Sequence, residues 1–253
     1  MNKETRVSVI TPTRNRAFFL ELCKECFLAQ TYSNVEWLIL DDSEAENTSF
    51  QNTGHDNIRY IHSPRNISIG EKRNRLIEAS TGEIIVNFDD DDYYAPNYIE
   101  TVVNHLGTSG ADMINLRGFF IYNANTDTIA YWDLNLKEGL HYKMSGDSLE
   151  SVWFDAENNG AFANNHLGYG FGWTFKKDIW RANPYPDMNW NEDGEFALMA
   201  QQQFDLQGLM DDQGLCLHMI HMNNTSISFP QYLMPGFMLA KLFPLEAIQK
   251  FVR

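Results

Sequence analysis

The sequence predicts an α/β protein: one Rossmann-like domain with a mostly parallel central sheet, whose second half completes the same domain. Three observations predict it. Strand and helix signals alternate over residues 1–106, the order that builds a parallel sheet. Three of those strand ends carry polar clusters, and ligands of such sheets gather at the carboxyl ends of strands. The 253 residues are 43% hydrophobic and 21% charged, which is ordinary for a soluble chain long enough to bury a large core.

Each element has its own reason. RVSVIT at 6–11 is a β-branched run that Pro12 ends. A helix follows over 18–30, with Phe19, Leu22, Cys23, Cys26 and Phe27 on one stripe. VEWLIL at 35–40 is a second strand, closed by Asp41, Asp42 and Ser43, and IRYIH at 58–62 is a weaker third. Residues 70–80 read as a helix carrying Leu76, Ile77 and Ala79, with Gly82 just past its end. EIIVNF at 83–88 is the fourth strand, and Pro96 suits the first turn of a helix running to about His105.

Beyond residue 107 the pattern changes. Residues 111–123 and 127–136 read as a hairpin turned at Asn123, Asn125 and Asp127. Residues 158–190 are rich in Gly, Asn and aromatics, including GYGFGW, and read as a loop suited to a substrate surface. NEDGEFALMAQQQ at 191–203 reads as a helix behind an acidic turn, and HMIHMNNTSIS at 218–228 closes the domain with two histidines near a strand end. No linker divides the chain. Its parts are residues 1–106, residues 107–228 and a helical tail at 229–253.

Composition narrows the function. A formal net charge of −15 makes nucleic acid an unlikely partner, and an anionic ligand needs a cation or well-placed arginines. Three cysteines cannot all pair within the chain, and Cys23 and Cys26 fall in mid-helix, where packing explains them better than redox or zinc chemistry. Reduced thiols and the lack of a signal-like apolar run fit a cytoplasmic setting. The tail, apolar with scattered lysines, either packs on the domain as a helix or makes peripheral membrane contact.

The sharpest feature is NFDDDDYYAP, residues 87–96, where four carboxylates follow a buried strand. Two unit charges about 5 Å apart repel by roughly 3 kcal/mol at an effective dielectric near 20. Either water screens the row or something positive sits there. Together with VSVITPTRNR, QTYSNVEWLILDDSE, GEKRN, ASTGEIIV and, more loosely, NED at 191–193 and HMNNTS at 221–226, this row resembles the family 2 glycosyltransferases of the GT-A fold. The resemblance covers all but the tail.

That resemblance implies a metal-dependent transfer of a sugar from a nucleotide diphosphate donor, a uridine one by first expectation, to a hydroxyl of a glycan, lipid-linked sugar or glycoprotein, with inversion. It implies a divalent cation, Mn²⁺ or Mg²⁺, held by Asp91 with Asp89 and His221; hard carboxylate oxygens suit those ions. His218 is a competing ligand. Donor contacts fall on Thr11, Pro12, Thr13 and Arg14, on Asp42 at the base, on Arg73, and on Asp89 or Asp90 at the ribose. A helix cap is the other role open to Asp42, and a surface position the other one for Arg73. Asp193 takes the general-base position, with Glu192 beside it, although both also suit a helix start. Tyr169, Phe171, Trp173 and Trp190 could stack on sugar faces or fill the core.

The sequence departs from the family pattern at Ser43 and Glu44, where a small residue and glycine are usual, and at Lys72, where alanine is usual. A sugar-1-phosphate nucleotidyltransferase would need a glycine-rich loop, which TPTRNR lacks. A glycan-binding protein that kept the fold without catalysis is the remaining alternative.

Overall fold

The computed structural model describes residues 5–222, 224 and 227–252. Four strands form the parallel part of the sheet: β1 (Val7–Thr13), β2 (Val35–Asp41), β3 (Ile58–His62) and β4 (Ile84–Asn87), in the order β3-β2-β1-β4. Helix α1 (Ala17–Leu28) connects β1 to β2, and α2 (Ile69–Ala79) connects β3 to β4. Side chains alternate across a strand. Val9, Trp37, Ile39 and Val86 therefore enter one core with Leu20, Cys23 and Phe27 of α1, while Ile10, Leu38, Leu40 and Ile85 enter a second with Leu76 and Ile77 of α2. Both faces are covered, which is why these strands read as continuous apolar runs. Ser68 caps α2 by accepting a hydrogen bond from the Glu71 N–H at 3.0 Å.

After the short β5 (Tyr93–Tyr94) and α3 (Tyr98–Ser109), β6 (Met113–Asn123) and β7 (Thr128–Asp133) make the expected antiparallel hairpin. The Asn123 side chain accepts from the N–H groups of Asn125 and Thr126 to shape its turn. Strands β8 (Gly139–Ser145) and β9 (Ser148–Phe154) form a separate hairpin. Next come β10 (Thr174–Lys176), α4 (Lys177–Ala182), α5 (Glu192–Ala200), β11 (Leu206–Met210) and β12 (Cys216–Ile220). Strand β10 sits between β4 and β6, antiparallel to both, so the two halves share one sheet. Strands β11 and β12 run parallel to β6.

Several expectations need correction. β1 continues through Pro12 to Thr13. The Ile10 carbonyl accepts from Phe88 N, and Pro12 faces the same side, where β4 has already ended at Asn87; its missing N–H leaves no bond unmade. Pro96 lies before α3 rather than in its first turn. The expected loop at 158–190 holds β10 and α4. The tail begins with β13 (Tyr232–Leu233), paired to β7, before α6 (Phe237–Leu242) and α7 (Leu245–Phe251).

That tail is docked on the domain. Phe243 stands edge-on to Tyr93 and Phe120, and Lys250 pairs with Glu25 of α1. Among the described residues no helix is long and apolar enough to cross a membrane. All three thiols are free and buried, and burial pushes Cys26 up to about 11, so they pack rather than react.

Candidate active site

The carboxyl ends of β1 and β4 meet at one cavity of about 790 Å³. The acidic row leaves β4 and crosses the end of β1, and its four side chains take separate partners. Asp90 accepts from the Thr13 hydroxyl at 2.5 Å and from Arg16 Nη1 at 2.9 Å. Asp91 Oδ2 accepts from the same Arg16 nitrogen at 2.5 Å and lies 3.0 Å from His221 Nε2. Asp92 is fully buried, meets His218 Nδ1 at 2.9 Å and accepts from Met219 N at 2.9 Å. Asp89 faces the cavity, with its side chain 34% exposed and Arg73 Nη2 at 3.6 Å.

Electrostatics follow that partition. Burial, together with repulsion from Asp92, Asp91 and Asp90, pushes the Asp89 carboxyl up to about 7 against the pull of Arg73. Burial and the neighbouring Asp91 charge raise Asp90 to about 6, against Arg16 and Thr13. Burial also acts on Asp91, but hydrogen bonding with His221 and the Arg16 charge outweigh it and hold the group below its usual range. Burial disfavours charge on His218, yet the Asp92 carboxylate prevails and raises it.

Asp91 and His221 are adjacent, and Asp89, with Arg73 at 3.6 Å, lines the same cavity as Asp91. Among the described residues, no group of three or more His, Cys, Asp or Glu side chains is arranged to hold a metal ion. Two protein donors still suit Mg²⁺ or Mn²⁺, which keep waters and take further oxygens from phosphates. The donor set therefore fits a dication that arrives with a diphosphate. The rest of the HMNNTS motif, at Asn223, Thr225 and Ser226, lies outside the described residues.

The base-binding expectation for Asp42 meets an obstacle. Its side chain is fully buried and does not line the cavity. Oδ1 accepts from Lys72 Nζ at 2.6 Å, and Oδ2 accepts from Ile67 N at 3.0 Å, with Arg14 at 3.9 Å. Lys72 also donates to the Thr13 carbonyl. Thr11 likewise turns inward, accepting from the Trp37 indole at 2.9 Å, so only Pro12, Thr13 and Arg14 of the first cluster reach the cavity.

Arg73 is buried and links the two halves. Its Nε donates to Glu192 Oε1 at 3.3 Å, its Nη2 faces Asp89, and its Nη1 has no hydrogen-bond partner among the described residues. Glu192 and Asp193 open α5. Asp193 Oδ2 accepts from Gly170 N at 3.0 Å and Oδ1 from Gly194 N at 2.8 Å, which fixes the plane of the carboxylate at the cavity wall. A Cβ on Gly170 would fall 3.1 Å from Asp193 Oδ2 and 3.2 Å from Arg73 Nη2, so a larger residue would have to push one of them aside by a few tenths of an ångström. The Gly170 carbonyl is held in turn by the Asn87 side chain.

Tyr169 and Trp190 also line the cavity, with Trp190 70% exposed. Trp173 does not. It is fully buried against Phe196 and donates its indole N–H to the Leu167 carbonyl, a core role that an aromatic residue next to β10 fills by alternation. Phe119, Trp132, Phe171 and Phe229 complete the aromatic wall.

Comparison with known proteins decides the family. Residues 8–182 match the family described as Glycosyl transferase family 2. The chain belongs to glycosyl transferase family 2. Among curated relatives, the glycosyltransferase GlyG of Streptococcus pneumoniae serotype 4 is 31% identical over 113 residues, 43% of this chain and 37% of its own length. The colanic acid biosynthesis glycosyl transferase WcaA of Escherichia coli K12, itself named as putative, is 31% identical over 109 residues, 42% of this chain and 39% of its own length. The chain thus spans under two fifths of the length of these relatives.

Solved structures share the GT-A fold at low identity. S. aureus TarS 1–349 in complex with UDP-GlcNAc matches with a TM-score of 0.63 and 15% identity, over 88% of this chain and 62% of that one. The mannosyltransferase PcManGT from Pyrobaculum calidifontis, in complex with GDP-Man and Mn²⁺, matches with a TM-score of 0.57 and 15% identity, over 86% and 58%.

For this family 2 chain, two features of the site carry little or no local signal in the sequence. Arg16 was readable only as the last residue of TPTRNR. The Asp92–His218 pair joins positions 126 residues apart, so no local pattern shows it. Lys72 stood out as a departure, and its partner Asp42 gives the reason for the lysine.

Proposed function

We propose that the chain is a glycosyltransferase that moves a sugar from a nucleotide diphosphate donor to an acceptor hydroxyl in the 790 Å³ cavity. One observation carries the reading: Asp89, Asp90 and Asp91 with Arg16 and Arg73, the fixed carboxylate of Asp193 and an aromatic wall all line the same cavity. The donor's diphosphate belongs beside Asp89 and Asp91, within reach of Arg16 and Arg73. Asp91 and His221, with Asp89 near, would hold a Mn²⁺ or Mg²⁺ ion, which when bound would offset charge on the leaving diphosphate.

Asp193 would take the proton from the acceptor hydroxyl as that oxygen forms its bond to the anomeric carbon. The bond from that carbon to the diphosphate oxygen breaks, its electrons leave with the diphosphate, and the anomeric centre inverts. Both Asp193 oxygens already accept one backbone hydrogen bond, and each keeps a second lone pair for the acceptor. Tyr169 and Trp190 supply flat apolar faces for an acceptor sugar, as glycan, glycolipid or glycoprotein. A uridine donor is the first to test; since Asp42 is engaged by Lys72, base contacts would fall on the rim formed by Pro12 and Arg14 with Asn66 and Ile67.

The test is nucleoside diphosphate release from a panel of nucleotide sugars with candidate acceptors, with Mn²⁺ or with chelator. Turnover that needs Mn²⁺ and disappears in Asp91→Ala and Asp193→Ala supports the reading. Turnover indifferent to chelator and to Asp91→Ala removes the dication. Glycan binding without turnover of any donor favours a binding protein.

A further inference from the structure

Asp91 carries a conflict that the proposed dication must resolve. Its Oδ2 serves both Arg16 Nη1 and His221 Nε2. A Mg²⁺ or Mn²⁺ ion would approach that oxygen to about 2.1 Å, and a guanidinium on the same atom would repel it strongly. Both arginines that touch the row line the cavity; the Arg73 side chain is 5% exposed and pairs with Glu192, and the Arg16 side chain is 28% exposed. Arg16 also precedes α1, at φ −127°, outside the helix, so its stem can turn without disturbing a helical ladder. A single nitrogen, Nη1, reaches both Asp90 and Asp91.

We propose that Arg16 is a resident counter-ion of the acidic row, which an arriving dication displaces from Asp91 and which then turns to the diphosphate that accompanies the ion. This inference rests on the dication reading above and adds to it a positioning residue. Without the ion, Arg16 keeps Asp90 and Asp91 gathered at the end of β1. With the ion, the guanidinium becomes a second positive group for the diphosphate oxygens, for which its planar donors suit it.

The experiment measures Mn²⁺ alone, by the loss of its free-ion paramagnetic resonance signal, in the wild type, Arg16→Gln and Asp91→Asn. Removal of the competing cation is expected to tighten Mn²⁺ binding by about fivefold in Arg16→Gln, the contribution of a partly exposed charge pair. At saturating Mn²⁺, inorganic pyrophosphate, which carries no base, is expected to bind at least about fivefold more weakly to Arg16→Gln. The opposite signs matter, because an arginine that merely holds the loop would weaken both. Mn²⁺ binding that is unchanged or weaker in Arg16→Gln overturns the proposal, as does unchanged pyrophosphate binding. Should Mn²⁺ bind neither protein, or bind Asp91→Asn as well as wild type, the dication reading itself fails. A Mn²⁺ soak of wild-type crystals needs no variant: the guanidinium is expected away from Asp91, and its persistence on Oδ2 beside a bound ion overturns the proposal.

Discussion

The two walls of the cavity are built from different materials. On the side formed by β1, β2, β4 and α2, nearly every polar group is locked in a charge pair: Lys72 on Asp42, Arg16 on Asp90 and Asp91, Arg73 on Glu192. On the side formed by β6, β7 and the segment around Gly170, the wall is aromatic, with Phe119, Trp132, Tyr169 and Phe171 around few polar groups. Charge pairs in a buried setting fix positions to tenths of an ångström and suit a ligand whose charged part never varies. Flat apolar faces accept many shapes and leave selection to contour. The difference teaches that one wall selects by electrostatics and the other by packing, which is the division the proposed reading needs between a diphosphate and an acceptor.

The comparison can be broken most easily at the residue where the walls meet. Asp193→Asn is expected to lower kcat by about 10²–10⁴, the usual worth of a general base. Asparagine keeps one acceptor for the two backbone N–H groups of Gly170 and Gly194, so the thermal melt should fall only by the worth of one hydrogen bond, about 1 kcal/mol. A variant that retains most of its turnover would leave the aromatic wall without a catalytic group.

Next in size is a break in the charged wall. Lys72→Met leaves Asp42 buried without its cation, which is expected to cost about 3–5 kcal/mol in a urea melt. Adding Asp42→Asn should recover much of that loss, because the unpaired charge goes with it. If Lys72→Met melts like wild type, the pairing at Asp42 is not what holds this corner.

A smaller effect comes with pH. Asp89 and Asp90 sit at about 7 and about 6 in the folded chain, above their unfolded values near 3.9. The folded state therefore binds more protons than the unfolded one between roughly pH 4 and pH 7, and these groups stabilise it as pH falls. His218 is raised as well, so its contribution is present at low pH and is lost as pH rises through its folded value. The metal-free protein should melt at a higher temperature at pH 6 than at pH 8, and Mn²⁺ should narrow the gap. A chelated protein whose melting temperature falls on acidification over that range contradicts the assignment.

The smallest effect belongs to the aromatic wall. Trp190→Ala is expected to raise the acceptor KM several-fold while changing stability by less than about 0.5 kcal/mol, since the ring is mostly exposed. An unchanged KM would place the acceptor elsewhere.

The same contrast explains what could be read from the sequence. The charged wall stands on doubly covered strands, whose β-branched runs announce themselves, and its carboxylates fall directly after them. The aromatic wall stands on short or irregular pieces. Strand β10 has three residues, and the turns between Asn159 and Gly172 are 3₁₀, too short to show a period. Trp173 and Trp190 look alike in sequence, yet one is sealed in the core and the other stands at the rim, because only contacts from α5 decide burial there. His221 and His218 are three apart, and each found its own aspartate, a choice made by the sheet rather than by spacing.

Gly170 leaves only 3.1 Å between a built methyl and the Asp193 carboxylate, and 3.2 Å to Arg73. Gly170→Ala would therefore push the Asp193 carboxylate or the Arg73 guanidinium aside by a few tenths of an ångström while deleting neither. The position offers a graded adjustment without the loss of a functional group, and turnover that shifts with it would show how closely the Asp193 carboxylate and Arg73 must be placed.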